Sequence, residues 1–258
     1  MGFECQHVSR AFRTRSGAIQ ALSDVSFSVA EREFLCIVGP SGCGKTTLLK
    51  LIAGLAKPTS GTITFNGSAP DDRLYSALVF QEHGLFPWMG VLENVAFGLE
   101  MLGVPRKERH ARARAFLKKM GLAGFAGNFP HELSVGMRQR AGIARAFVAD
   151  PDILLMDEPF GALDAQTKTI LQEELLRIWK ENQKLVVYVT HDIREAVLLG
   201  DRVLVMSGHP GCIREEVPVP LARPRDLSSL ARPEVRKLVE HIWAILKDEV
   251  RKSLWVVT

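Results

Sequence analysis

The chain has 258 residues, 47% hydrophobic and 24% charged, which is enough to bury a substantial core as one large domain or two small ones. Its net charge of +4 is small and its 33 basic residues are spread along the chain, so nucleic acid is not an expected partner. Four cysteines, Cys5, Cys36, Cys43 and Cys212, lack CxxC or metal-ligand spacing and fit free thiols in a reducing cytosol. No apolar run reaches the roughly 18 residues of a membrane span, and the opening MGFECQHVSR does not read as a secretory leader, so any membrane role is expected through a partner.

In chain order, a β-like stretch at residues 25–29 precedes the apolar run FLCIV at 34–38, and another lies at 62–65 before the Asn66-Gly67 turn signal. Further apolar runs fall at 78–80, 153–156, 185–189 and 203–206, mostly with helix-length stretches between them. Runs without alternation are what parallel strands buried on both faces require, so the class is α/β, with the weaker early stretches forming a smaller antiparallel sheet. Between Val91 and Met120 the pattern turns helical, with Pro105 at a helix start, and a helical lobe is expected over about 84–149. A Pro-rich tract from Pro218 closes the α/β part at about residue 217. After it Pro233 opens an amphipathic helix with Val235, Leu238, Val239, Ile242, Ile245 and Leu246 on one stripe, so 218–258 reads as linker and terminal helix.

Directly after FLCIV stands GPSGCGKTT, which fits G-x-x-x-x-G-K-[ST] at Gly39, Gly44, Lys45 and Thr46. Glycines let backbone N–H groups curl around a phosphate chain, and the following helix turns its positive end to the same anion. Across Gly39, Pro40, Ser41, Gly42, Cys43, Gly44, Lys45, Thr46 and Thr47 the expected ligand is therefore a nucleotide, with Lys45 reaching the terminal phosphates and Thr46 helping to hold Mg²⁺. Cys43, set among these N–H groups, is expected to be an activated thiol. The pair Asp157-Glu158 follows the buried run ILLM, which suits Asp157 to Mg²⁺ and Glu158 to a water placed for attack on a phosphate. Gln81 and His191 also follow apolar runs. Ligands of open parallel sheets sit outside the carboxyl ends of the strands, so Gly39, Gln81, Asp157 and His191 are expected to converge.

With these motifs in the order GPSGCGKTT, Gln81, LSVGMRQR, ILLMDEP, GALD and VTHD, the chain resembles the ATP-binding subunit of an ABC transporter over nearly its whole length. The resemblance implies a P-loop, RecA-like core of mainly parallel sheet with an antiparallel β subdomain and an inserted helical subdomain, and it implies ATP and Mg²⁺ as cofactors. By similarity Phe12 lies where the family stacks an aromatic ring on adenine, although Phe12 could also be core. Ser134 and Gly136 would complete the ATP site of a second copy in a head-to-tail homodimer, and Asp164 would cross that interface. In the same scheme Glu158 polarises water, His191 steadies the γ-phosphate, and Gln81 senses Mg²⁺ and couples to the membrane partner.

Val135 stands where the family's LSGGQ pattern has its first glycine. If that position needs a positive φ, valine costs on the order of 1 to 3 kcal/mol; if it is already helical, the cost is a few tenths. The segments EHGLFPWMGVLENVAFGLE, DEPFGALDAQTKTILQEELLRIW and HDIREAVLLGDRVLVMSGHPG resemble the branch that energises uptake of nitrate, sulfonates and taurine. That resemblance implies two membrane permease subunits, an extracytoplasmic binding protein acting indirectly, and a peripheral place on the cytoplasmic face of the membrane. Leu85, Phe86, Trp88 and Met89 suit either a permease groove or the core of the helical lobe. The basic helix from Arg106 to Lys119 reads as a solvated face. Alternatives are an exporter's ATPase subunit, or an ABC ATPase acting on nucleic acid or ribosomes. The short interval between Lys45 and Ser134 leaves no room for a repair ATPase's long coiled coil, and one such domain is present where translation factors join two.

Overall fold

The computed structural model describes residues 1–14, 17–66, 75–80, 84–161 and 163–255. They divide into two compact units, Met1–Ser68 with Lys180–Thr258, and Ala69–Trp179.

The first unit opens with β1 (Gly2–Thr14), β2 (Gly17–Val29), β3 (Phe34–Val38), α1 (Lys45–Ile52) and β4 (Ser60–Asn66). Strands β1, β2 and β4 form an antiparallel sheet in the order β2-β1-β4. Only parts of β2 and β4 are evident from sequence. Strand β1 is disguised because its pairing with β2 slips between Cys5 and Val8 and again near Arg10, which breaks the alternation a regular strand would show. Every residue of β3 is buried.

The second unit holds β5 (Ser76–Val79), α2 (Val91–Met101), α3 (Arg106–Lys119), α4 (Val135–Val148), β6 (Ile153–Asp157) and nearly all of α5 (Ala165–Asn182). Strands β5 and β6 pair in parallel, Val79 opposite Met156. Helices α2, α3 and α4 pack on one another. Four basic side chains of α3 meet glutamates: Arg106 and His110 meet Glu93, Arg109 meets Glu100, and Arg112 meets Glu108. That is how a solvated helix face is built.

The chain returns to the first unit with β7 (Leu185–Thr190), α6 (Ile193–Leu199), β8 (Arg202–Met206), β9 (Ile213–Pro218) and α7 (Pro233–Trp255). Here β3 lies between β7 and β8, parallel to both, and β9 closes the edge antiparallel to β8. Strand β9, IREEVP, carries three charges and buries only Val217 fully, so it gives no apolar run in the sequence. The stretch after it is stitched down. Arg225, 6% exposed, donates to the carbonyls of Leu221 at 2.8 Å and Val219 at 3.2 Å, and burial lowers its pKa to about 10. Helix α7 then packs on α6 and β8 through Val235, Ile242 and Leu246.

Candidate ATP site

The turn between β3 and α1 has the shape its glycines foretell. Gly42 and Gly44 take φ of 77° and 100°, a region that side chains with a Cβ avoid. At Gly44 a Cβ would also stand 2.7 Å from the Leu22 side chain and 2.8 Å from the Ala21 carbonyl, so glycine is required twice over. Lys45 is 6% exposed and its ammonium donates to the carbonyls of Gly39 at 2.8 Å and Pro40 at 2.9 Å, which holds its charge inside the curl of the loop. Ser41 and Thr46 are exposed at the rim and Thr47 is half-buried. Positive-φ glycines, a buried cation and the first turn of α1 together fit a polyphosphate, and the Thr46 hydroxyl beside them fits a Mg²⁺ ligand.

Strand β7 runs parallel to β3 with Thr190 opposite Val38, so His191 and Gly39 leave the sheet side by side. Gly39, Pro40, Ser41 and His191 line one crevice. The turn carrying His191 is fixed from both ends. The Asp192 N–H donates to Thr190 Oγ1 at 3.0 Å, and the Asp192 carboxylate caps α6 through the N–H groups of Arg194 and Glu195. Behind it the buried Glu195 accepts from Tyr188 Oη at 2.8 Å and from Thr190 Oγ1. Burial, reinforced by Glu195, keeps the Tyr188 phenol well above its ordinary pKa, so this bond keeps its proton.

In the second unit Asp157 ends β6 and is 6% exposed, and Glu158 leaves the strand in a left-handed conformation with φ of 44°. A non-glycine residue there stores on the order of 1 to 3 kcal/mol, a cost that recurs at functional sites. No residue pattern announces this left-handed turn. The Glu158 carbonyl accepts from the Gly161 N–H at 3.0 Å, closing the turn. Ser134 is the N-cap of α4 with its Oγ accepting from the Met137 N–H at 3.3 Å, and Val135 is the first residue of the helix. Val135 is not among the residues of positive φ. The mild alternative therefore holds: the glycine's replacement brings no backbone strain. Gly136 faces Thr167, whose Cγ2 would lie 3.1 Å from an added Cβ. Asp164 accepts from the Thr167 N–H at 2.9 Å and so caps α5, and that bond lowers its pKa.

Other expectations fare differently. Phe12 is 41% exposed on β1, with the Arg10 guanidinium 4.8 Å from its ring centre, so it is not a core residue. Cys43 is not the accessible thiol expected from its place in the loop: it is 1% exposed, with its Sγ tucked towards Gly39. Gln81 lies outside the described residues. In the segment after it Trp88 is 73% exposed, whereas Phe86 packs edge-on against Phe97 at 4.7 Å. The organiser of this segment is Asn94, fully buried on α2. It accepts from the Phe86 N–H at 2.7 Å and donates to the carbonyls of Phe86, Met89 and Gly90. A lone Asn in an apolar helix was its one sequence signal.

The ABC transporter family profile matches residues 22–161, more than half of the chain, and the chain belongs to that family. It is an ATPase of the ATP-binding cassette type that uses ATP and Mg²⁺. It is similar, at 49% identity over 96% of this chain and 92% of the other, to an uncharacterized ABC transporter ATP-binding protein of Methanocaldococcus jannaschii. It is 48% identical to the taurine import ATP-binding protein of Rhizobium johnstonii, over 93% of this chain and 94% of that one. It is 43% identical to the nitrate import ATP-binding protein of a Synechocystis strain, over 96% of both. Among solved structures, a dimeric ATP-binding cassette in a post-hydrolysis state with ADP and Pi superposes with a TM-score of 0.74 at 34% identity, covering 85% of this chain and 100% of that one.

Proposed function

We propose that the chain is the ATP-hydrolysing subunit of an import system for a small anion such as nitrate, a sulfonate or taurine. It would work as a homodimer on two separate membrane permeases, peripheral to the cytoplasmic face, and an extracytoplasmic binding protein would deliver the cargo. The observation that carries this reading is near full-length similarity to named taurine and nitrate import ATP-binding proteins. Among the described residues no helix is long and apolar enough to cross a membrane, in keeping with separate permeases.

The residues divide the work as follows. Residues 1–217 form the ATP-binding part, with 84–149 as the helical lobe and 218–258 as an appendage. Gly39 to Thr47 wrap the phosphates and Phe12 offers its exposed ring to adenine. Bound Mg²⁺ would offset phosphate charge and orient the γ-phosphate for in-line attack. Thr46 and Asp157 are its candidate ligands, and Gln81 would sense it and couple to the permease. Glu158 takes the proton of the attacking water, and His191, held by Thr190 and Asp192, donates to the γ-phosphate. Ser134 and Gly136, at the positive end of α4, reach the phosphate on a second copy, with Asp164 at the same junction. Trp88, 73% exposed, would anchor a permease helix, while Phe86, packed on Phe97, serves the lobe.

The test is reconstitution of the chain with a permease pair and binding protein in vesicles, followed by labelled taurine or nitrate. ATP-dependent uptake lost with Glu158→Gln supports import. ATP-driven movement the other way favours the exporter, and ATPase activity stimulated by RNA or ribosomes without permease contradicts a transport role.

A further inference from the structure

Helix α7 carries an apolar row that runs off its buried face: Val239, Trp243 and Val250, with the buried Leu246 in the same line, spaced by four, three and four residues. A helix presents such a row along one line of its surface. The row faces the catalytic turn. One crevice runs between Trp243, Leu246 and Val250 on α7 and Pro40, Ser41 and His191 at the carboxyl ends of β3 and β7. A second lies on the other side of Trp243, between it, Val239 and the segment from His191 to Arg194. Trp243 stands between the two, 50% exposed, although the core position next to it, Ile242, is fully buried. The helix that presents it is pinned. Glu249, 7% exposed, accepts from the Gly208 N–H at 2.9 Å and pairs with Arg214 and Lys252.

A large aromatic held half in solvent by a fixed helix, beside crevices with an apolar wall, is the composition of an interface anchor. We infer that its occupant is a second copy of this chain in the ATP-bound state. The inference rests on the proposed cross-chain site. Ser41 and His191 form the γ-phosphate rim over which a partner's Ser134 and Gly136 would close, and the crevices beside Trp243 are continuous with that rim. A second copy seated there covers Trp243 in the same movement. Because such an interface is isologous, both copies bury this residue, so truncating it weakens the pair twice over. Helix α7 is thereby a dimer clasp that reports closure at the phosphate end of the site.

The experiment uses the full-length Glu158→Gln chain, which should bind Mg-ATP without consuming it, and measures two quantities with ATP and with ADP. These are the dimer dissociation constant by sedimentation, and the oxidation of each tryptophan by hydroxyl-radical footprinting. The expected result is an ATP-dependent dimer in which Trp243 is protected while Trp88 stays reactive. The double variant with Trp243→Ala should dimerise at least about tenfold more weakly, with Trp243→Phe recovering part of the loss and both variants melting as folded proteins. A Glu158→Gln chain that stays monomeric with ATP overturns the cross-chain reading and this inference together. A dimer in which Trp243 is oxidised as in the monomer, or which Trp243→Ala leaves equally tight, overturns the clasp alone.

Discussion

Replacing Val135 by glycine, which restores the family's usual residue, is expected to destabilise the protein. Val135 opens α4 outside the positive-φ region, so glycine relieves no strain there. It removes a side chain that is 39% exposed and otherwise buried, worth about 1 kcal/mol of apolar burial. A few tenths more are lost because glycine is the poorer helix former. The sum, about 1 to 1.5 kcal/mol, corresponds in a chain of this size to a melting temperature lower by roughly 2–6 °C. Calorimetric or circular-dichroism melts of Val135→Gly beside the parent chain read this directly. If the position were held at positive φ, glycine would return on the order of 1 to 3 kcal/mol, and the melting temperature would be unchanged or higher. That result would refute the helical placement of Val135.

Three further outcomes follow from buried polar groups and thiols. Asn94→Ala takes the side-chain partner from the Phe86 N–H and the Met89 carbonyl, while the Phe86 and Gly90 carbonyls keep the backbone N–H groups of Met89 and residue 94, so it should cost about 2–4 kcal/mol and speed amide exchange at Phe86; unchanged exchange there would contradict the role given to Asn94. In the native protein at pH 8, iodoacetamide should modify half-buried Cys212 first, while buried Cys43 stays unlabelled. Cys5 and Cys36 should also resist, since burial pushes the first to about 12 and the second well above its usual value; peptide mass spectrometry decides, and early labelling of Cys43 would count against its burial. The Gly208 N–H, with Lys252 and Arg214, outweighs desolvation and holds the Glu249 carboxyl below its ordinary 4.5. Its stabilisation is therefore full above that value and is lost as the pH falls through the depressed pKa, so Glu249→Gln should melt lower than the parent at pH 7, with the gap closing as the pH falls below 4.5. A gap independent of pH would remove the charge from the explanation.

What could be read from sequence was whatever is local. The buried strands β3, β6, β7 and β8 stand out because both faces are apolar, and the phosphate loop stands out because its glycines answer a backbone need within nine residues. Ser134 caps α4 through the Met137 N–H three residues on, a device that is equally short-range. The features that escaped depend on distant partners. Strand β1 hides behind its bulges, and β9 behind its charges. Cys43 looked reactive because its loop neighbours suggested a field, while its burial is set by packing against Gly39. The left-handed turn at Glu158 is imposed by the geometry around it. Nothing in Trp243 announced that α7 would bring it to the rim that holds Ser41 and His191.

The central claim is that each ATP site is assembled from the phosphate loop of one copy and the Ser134–Gly136 turn of another. It is tested most directly by mixing two inactive chains, Lys45→Ala, which spoils the loop, and Gly136→Asp, which spoils the turn, and measuring ATPase activity. Random pairing makes half the dimers mixed, each with one intact site of two, so roughly a quarter of parental activity should return. Activity that stays at the sum of the two inactive chains would contradict a shared site.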